Sequence, residues 1–257
     1  MSSSGKAKRK RLDQALVDAG LAPSRSRAQA LVMAGKALVN GEVVHKASHP
    51  VPEGAEVTLK EPDHGFASRG GVKLAGALDH FGWSPAGLVV LDVGASTGGF
   101  TDCLLQRGAR HVIALDVGYG QLDWKLRQDE RVTVIERTNI RHTAQADLEA
   151  AGAPAPPEAA VVDVSFISLT LVLPKLVELL PPGAPVVSLI KPQFEAGRKD
   201  VGKGGVVRDP EVRARCVQKV VEACEAAGCA VQGTVTSSLP GPKGNVEELI
   251  LFRTPGA

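Results

Sequence analysis

The stretch Leu88-Val89-Val90-Leu91-Asp92-Val93-Gly94-Ala95-Ser96-Thr97-Gly98-Gly99-Phe100 decides the fold. An apolar run ends in a carboxylate and enters a glycine turn. This is a buried strand stopping where backbone must approach a ligand without side-chain obstruction. The order G-x-x-x-G-G departs from the G-x-G-x-x-G of nicotinamide sites, and no G-x-x-x-x-G-K-[ST] occurs to suggest a nucleoside triphosphatase. A second apolar run, 111–116, ends in Asp116, 24 residues beyond Asp92. A carboxylate there can accept both ribose hydroxyls of an adenosine.

Working outward, strand patterns at 88–92, 111–116, 132–135, 160–164 and 186–190 alternate with helix-length segments, the signature of a parallel sheet covered on both faces. Residues 230–236 and 248–253 read as a hairpin edge. Towards the amino terminus, the Pro-, Asp-, His-, Gly- and Ser-rich stretch 60–71 reads as a linker with a boundary near Gly65. Before it, Leu12, Leu16, Val17 and Leu21 recur at helical spacing. Ser26 and Gln29 form a capping box for a second helix ended by Gly35, and a hairpin turns at Asn40-Gly41. The expected organisation is a basic tail over 1–9, a small α+β unit over 10–64 and an α/β unit with a Rossmann-like sheet over 65–257.

Composition narrows the function classes. The net charge is only +2, but Lys6, Lys8, Arg9, Lys10 and Arg11 concentrate positive charge near the start. The four cysteines lack C-x-x-C spacing and are few for a disulfide framework. No apolar h-region follows Met1, and no run of about 18 apolar residues occurs. A reducing cytoplasm is expected, with neither metal nor membrane as a partner.

The glycine turn and Asp116 point to S-adenosylmethionine as cofactor. The candidate binding residues are Asp92, Gly94, Ala95, Ser96, Thr97, Gly98, Gly99, Phe100, Asp116, Val117, Thr138, Asn139 and Asp163, with Tyr119 beside them. Charged residues sit at strand ends in Val162-Asp163-Val164-Ser165, Ile190-Lys191-Pro192 and Val246-Glu247. An unpaired buried ion is costly, so three at one sheet edge suggest a site. Lys73 falls at the edge of the Leu74, Leu78 and Phe81 stripe of a helix over 71–81 and by itself reads as a surface lysine. Together Lys73, Asp163, Lys191 and Glu247 can take a proton from a ribose hydroxyl and hold it in line. The strand end at Asp163 carries no cysteine for pyrimidine carbon methylation and no [DN]-P-P-[YF] turn for amino methylation.

Six motifs, Ser68-Arg69-Gly70-Gly71-Val72-Lys73-Leu74, 92–100, Asp116-Val117-Gly118-Tyr119-Gly120-Gln121-Leu122, Asp163-Val164-Ser165-Phe166-Ile167-Ser168-Leu169, Lys191-Pro192-Gln193-Phe194-Glu195 and Gly241-Pro242-Lys243-Gly244-Asn245-Val246-Glu247, span nearly the whole chain. In them the sequence resembles the TlyA family of ribosomal RNA 2'-O-methyltransferases, also known as haemolysin A. The resemblance implies an S4 RNA-binding domain before an FtsJ-like methyltransferase domain, acting on a cytidine ribose. It also implies a Lys-Asp-Lys-Glu tetrad on Lys73, Asp163, Lys191 and Glu247. Lys191 would be the general base, Lys73 and Asp163 would position ribose and donor, and Glu247 would orient a lysine.

Arg11, Arg25, Arg27, Lys36 and Lys46 supply a basic surface in the amino-terminal unit, suited to phosphate contacts that carry affinity but little sequence information. Ribosomal RNA or a ribosomal subunit is the expected partner. Two other readings stand beside this one, a membrane-active haemolysin and a non-catalytic ribosome-assembly binder. The Gly- and Lys-rich stretch 197–205 reads as a loop that orders on RNA.

Overall fold

A computed structural model describes residues 10–60 and 63–256. The tail cations Lys6, Lys8 and Arg9 lie outside them. The chain divides into two compact units, residues 1–65 and 66–257.

The first unit has strand β1 (Lys10–Arg11), helices α1 (Leu12–Asp18) and α2 (Arg25–Met33), and strands β2 (Ala37–Val39), β3 (Glu42–Val43), β4 (Pro50–Val51) and β5 (Val57–Leu59). β1 pairs with β4, and β3-β2-β5 form an antiparallel sheet. Leu12, Leu16, Leu31, Val32 and Val39 make its core. The cap of α2 is Ser24, whose hydroxyl accepts from the Arg27 amide at 3.2 Å, and Ser26 lies inside the helix. Ser26 alone matches the capping-box spacing, but Ser24, equally a favoured cap residue, has the extended backbone, φ −153°, that a cap requires.

The second unit is built on seven strands, β6 (Val89–Val93), β7 (His111–Leu115), β8 (Val132–Ile135), β9 (Ala159–Val162), β10 (Pro185–Ile190), β11 (Ala230–Thr236) and β12 (Glu248–Arg253). Their order is β11-β12-β10-β9-β6-β7-β8. β10 through β8 run parallel, while β12 is antiparallel to both neighbours. The expected hairpin therefore exists, but its second arm is the one laid against β10. Burial explains this. β12 buries four consecutive residues, Leu249 to Phe252, as an inner strand must, whereas β11 alternates exposed and half-buried residues as an edge does.

Helices α3 (Arg69–Phe81), α4 (Gly99–Gln106), α5 (Trp124–Arg127), α6 (Gln145–Ala150), α7 (Leu173–Leu179), α8 (Pro192–Glu195) and α9 (Pro210–Ala226) cover the sheet. One face packs Leu91, Ile113, Leu176, Val220 and Phe252. The other packs Leu74, Leu78, Leu104, Val161 and Leu251. Strand order reverses between β6 and β9, which opens a crevice at their carboxyl ends.

Candidate active site

The turn after β6 passes beneath the end of β9. At Gly94, φ +86°, a Cβ would lie 2.7 Å from the Asp163 carbonyl oxygen, so only glycine fits. Ser96 takes φ +49°. Its amide donates to Asp116 Oδ2 at 2.8 Å, and the Gly118 amide donates to Oδ1 at 2.6 Å. Two backbone amides thus aim the Asp116 carboxylate, whose remaining lone pairs can accept a diol. A cavity of about 940 Å³ opens here, walled by Gly94, Ser96, Asp116, Val117, Thr138, Asn139 and Asp163 together with Ser165, Phe166, Gln193 and Phe194. Tyr119 is exposed, with the Arg137 guanidinium 4.0 Å from its ring centroid.

The rest of the expected loop set stands behind that wall. A Cβ at Gly98 would meet Leu126 Cδ1 at 2.3 Å, and one at Gly99 would meet Ser68 Oγ at 2.2 Å and the Gly71 amide nitrogen at 2.9 Å. These two glycines serve the packing of neighbouring segments rather than ligand access. Ala95 and Phe100 are buried in the core, and the Thr97 carbonyl accepts from the Asp123 amide. Asp92 is fully buried and accepts from Thr101 Oγ1 at 2.6 Å, with its other oxygen unpartnered. Desolvation, aided by the charge of Asp163, pushes its carboxyl up to about 7.

The four charged residues meet as two ion pairs. Lys73 is not a surface lysine, being only 7% exposed. α3 buries Gly71, Lys73 and Leu74 together, and Lys73 Nζ donates to Glu247 Oε2 at 2.5 Å. Glu247 is fully buried, its Oε1 has no partner, and a Cβ on Gly241 would sit 2.0 Å from that oxygen. The neighbouring Glu248 accepts from Thr236 Oγ1 instead. Lys191 Nζ lies 2.6 Å from Asp163 Oδ1 and donates to Ser165 Oγ at 2.8 Å.

Three contributors escaped sequence reasoning. Ser165 holds Lys191. Glu195, 7% exposed, accepts from the Leu169 amide and from Ser168 Oγ, both at 2.6 Å. Asn245 accepts from the Val207 amide at 3.0 Å and donates to the Gly205 carbonyl at 2.9 Å. It thereby anchors the end of the stretch that the sequence read as a free loop, which also carries a Gly202–Val206 bridge. All three lie in the quoted motifs or beside them, but their partners are distant in sequence.

In the first unit, Arg11 and Arg25 converge on the buried Asp13 carboxylate at 2.9 and 3.1 Å, and Gln29 adds a third donor. Arg27 pairs with Asp63 at 2.6 Å. These cations do not form a loose basic surface, because internal carboxylates orient them. Arg11 and Arg25 remain about half exposed, at 46% and 53%. Lys36 is half-buried and Lys46 exposed. Among the described residues there is no cluster of His, Cys, Asp and Glu able to hold a metal ion, and no helix long and apolar enough to cross a membrane.

Comparison with known proteins bears on the same regions. The FtsJ-like methyltransferase family matches residues 66–254 and the S4 domain matches residues 10–57. The 16S/23S rRNA (cytidine-2'-O)-methyltransferase TlyA of Mycobacterium tuberculosis is 47% identical, over 96% of this chain and 91% of its own length. Hemolysin A of Brachyspira hyodysenteriae is 40% identical, over 94% of this chain and 99% of its own. A solved structure described as a hemolysin from Streptococcus thermophilus superposes with a TM-score of 0.73 at 40% identity, covering 97% of this chain and 90% of that one. The chain belongs to the FtsJ-like methyltransferases, in the group that joins this domain to an amino-terminal S4 domain and includes relatives named TlyA and hemolysin A.

Proposed function

We propose that this protein methylates the 2'-hydroxyl of a cytidine ribose in ribosomal RNA, using S-adenosylmethionine and working in the cytoplasm. The observation that carries the reading is the pairing of Lys191 with Asp163 beside a crevice whose far wall holds Asp116. The crevice suits the donor. Asp116 would accept the ribose diol, Gly94 would give backbone access, and Thr138 and Asn139, which line the same cavity, would hold the base. The donor supplies an electrophilic methyl group on a sulfonium.

The chain's own residues handle the proton. Lys191 Nζ, once neutral, accepts the hydrogen of the ribose hydroxyl, while Asp163 and Ser165 fix where that nitrogen points. Lys73, locked to Glu247, keeps a fixed positive charge near the developing alkoxide. Residues 10–64 act as the RNA-holding module through Arg11, Arg25, Arg27, Lys36 and Lys46, and residues 65–257 as the catalytic one. The cited relatives include a cytidine-2'-O-methyltransferase, which supports this choice of substrate.

Incubation with tritiated donor and ribosomal subunits from a strain lacking the enzyme is expected to label RNA. Lys191→Ala should abolish labelling while leaving donor binding intact. Failure of the wild type to label either subunit refutes the assignment. Among the described residues, no helix long and apolar enough to cross a membrane supports the membrane-active alternative.

A further inference from the structure

The two strands that carry Lys191 and Asp163 stop pairing before either residue. The β9–β10 ladder ends at Val162 opposite Ser188. Beyond that point Asp163 is held to β6 by its amide, which donates to the Val93 carbonyl at 2.8 Å. β10 continues along β12 as far as Ile190 opposite Glu248. The loop 163–168 and the segment 191–195 are therefore fastened to different neighbours, and side chains bridge the gap between them.

One bridge is Lys191 itself, on Asp163 and Ser165. The other is Glu195. Its Oε1 accepts from the Leu169 amide and its Oε2 from the Ser168 hydroxyl, both at 2.6 Å. Lys219 of α9, 47% exposed, balances its charge from 3.2 Å and also donates to the Glu195 carbonyl at 3.0 Å. Between the two bridges the loop holds Phe166 at φ +65°, a left-handed conformation that a bulky residue keeps only when its flanks are restrained. The Glu195 carboxylate restrains one flank, and Asp163 the other.

We infer that Glu195 is a positioning residue for Lys191. By clamping Ser168 and Leu169 to the segment that begins with Lys191, it sets the separation between the Lys191 ammonium and the Asp163 and Ser165 oxygens that aim it. Glu195 is not among the residues that wall the crevice. The inference rests on the reading of Lys191 as general base, and is tested in two ways that separate the two claims.

The first test is steady-state methyl transfer. Misplacing a base by about 1 Å costs on the order of 100-fold. Glu195→Ala should accordingly lower kcat by about 10- to 100-fold, with the donor KM changing less than about threefold. Glu195→Gln should recover most of the loss, since its oxygen can still accept from the Leu169 amide and its nitrogen can donate to the Ser168 hydroxyl, while the half-exposed Lys219 ammonium, which loses its Oε2 partner, turns to solvent. Ser168→Ala removes one donor to Glu195 together with the cap that accepts from the half-buried Thr170 amide; it should fall about 3- to 10-fold, and supplies the kinetic readout if Glu195→Ala proves too unstable to assay.

The second test needs no RNA. Competitive trace acetylation, read by mass spectrometry, compares how fast Lys191 reacts. A nitrogen held by Asp163 and Ser165 reacts slowly, so Glu195→Ala should accelerate its acetylation about tenfold and Glu195→Gln should restore it. Unchanged acetylation in folded Glu195→Ala overturns the inference, as does a Gln variant no better than Ala. Altered acetylation together with a wild type inactive on ribosomal RNA keeps the inference about geometry and rejects the functional reading.

Discussion

Replacing Glu247 by Ala should be the most damaging truncation of a single charge in the second unit. Glu247 is fully buried and its partner Lys73 has a side chain only 8% exposed. The change leaves a nearly buried ammonium with no counter-ion. Removing one member of such a pair costs about 3–5 kcal/mol. At about 2–4 °C per kcal/mol for a unit of this size, Tm should fall by roughly 6–20 °C. The double variant Lys73→Met with Glu247→Leu exchanges the pair for apolar groups of similar length, and should return to within about 1 kcal/mol of wild type. The assay is thermal and urea unfolding of wild type, Lys73→Met, Glu247→Ala and the double variant, with methyl transfer measured on each. The stable double variant should remain inactive, because its fixed charge is gone. A Glu247→Ala protein melting within about 2 °C of wild type, or a double variant no more stable than the single one, would refute the account of the pair.

Asp92→Asn tests the buried carboxyl. Its folded pKa of about 7 lies above the ordinary 3.8 because burial penalises the charged form. The contribution is therefore fully present below pH 3.8 and is lost as pH rises towards 7. The Tm advantage of Asn over wild type should grow between pH 5 and pH 7 and then level off, and a flat difference contradicts this. Burial likewise pushes the Cys103 and Cys224 thiols up to about 12, so native protein at pH 8 should react with an aromatic disulfide at neither position until it unfolds. Asp13 is held well below the usual carboxylate range, first by its bond to Arg11. Its contribution is present above the unfolded pKa and vanishes as pH falls. Asp13→Asn should destabilise the first unit by about 3 kcal/mol at pH 7, seen as faster proteolysis within residues 10–60, and lose that effect in acid.

Much of the fold was legible because apolar runs that end in charges or glycines have few alternatives. The five parallel strands and the pocket contribution of Gly94 and Asp116 could be read from spacing alone. What escaped depends on approach between distant segments. Gly99 looks like a ligand glycine until Gly71 is seen pressing on it. Lys73 sits at the margin of an apolar stripe, and only the return of the chain at Glu247 makes that margin interior. Arg25 reads as part of a basic surface because nothing beside it in sequence says that it shares the Asp13 carboxylate, 12 residues earlier, with Arg11. Glu195 ends a recognisable motif, yet its partners lie 26 and 27 residues earlier.

The inserted position of β12 has a consequence for how the protein is made. β12 lies between β10 and β11, although it follows both in the chain. During vectorial synthesis β11 emerges before the strand it pairs with, and β10 waits with one edge open. Glu247, which precedes β12 by one residue, reaches Lys73 only as that slot is filled. The last strand to arrive thus closes the sheet and completes the lysine pair in one event, so a nascent chain stalled before it lacks the finished charge arrangement.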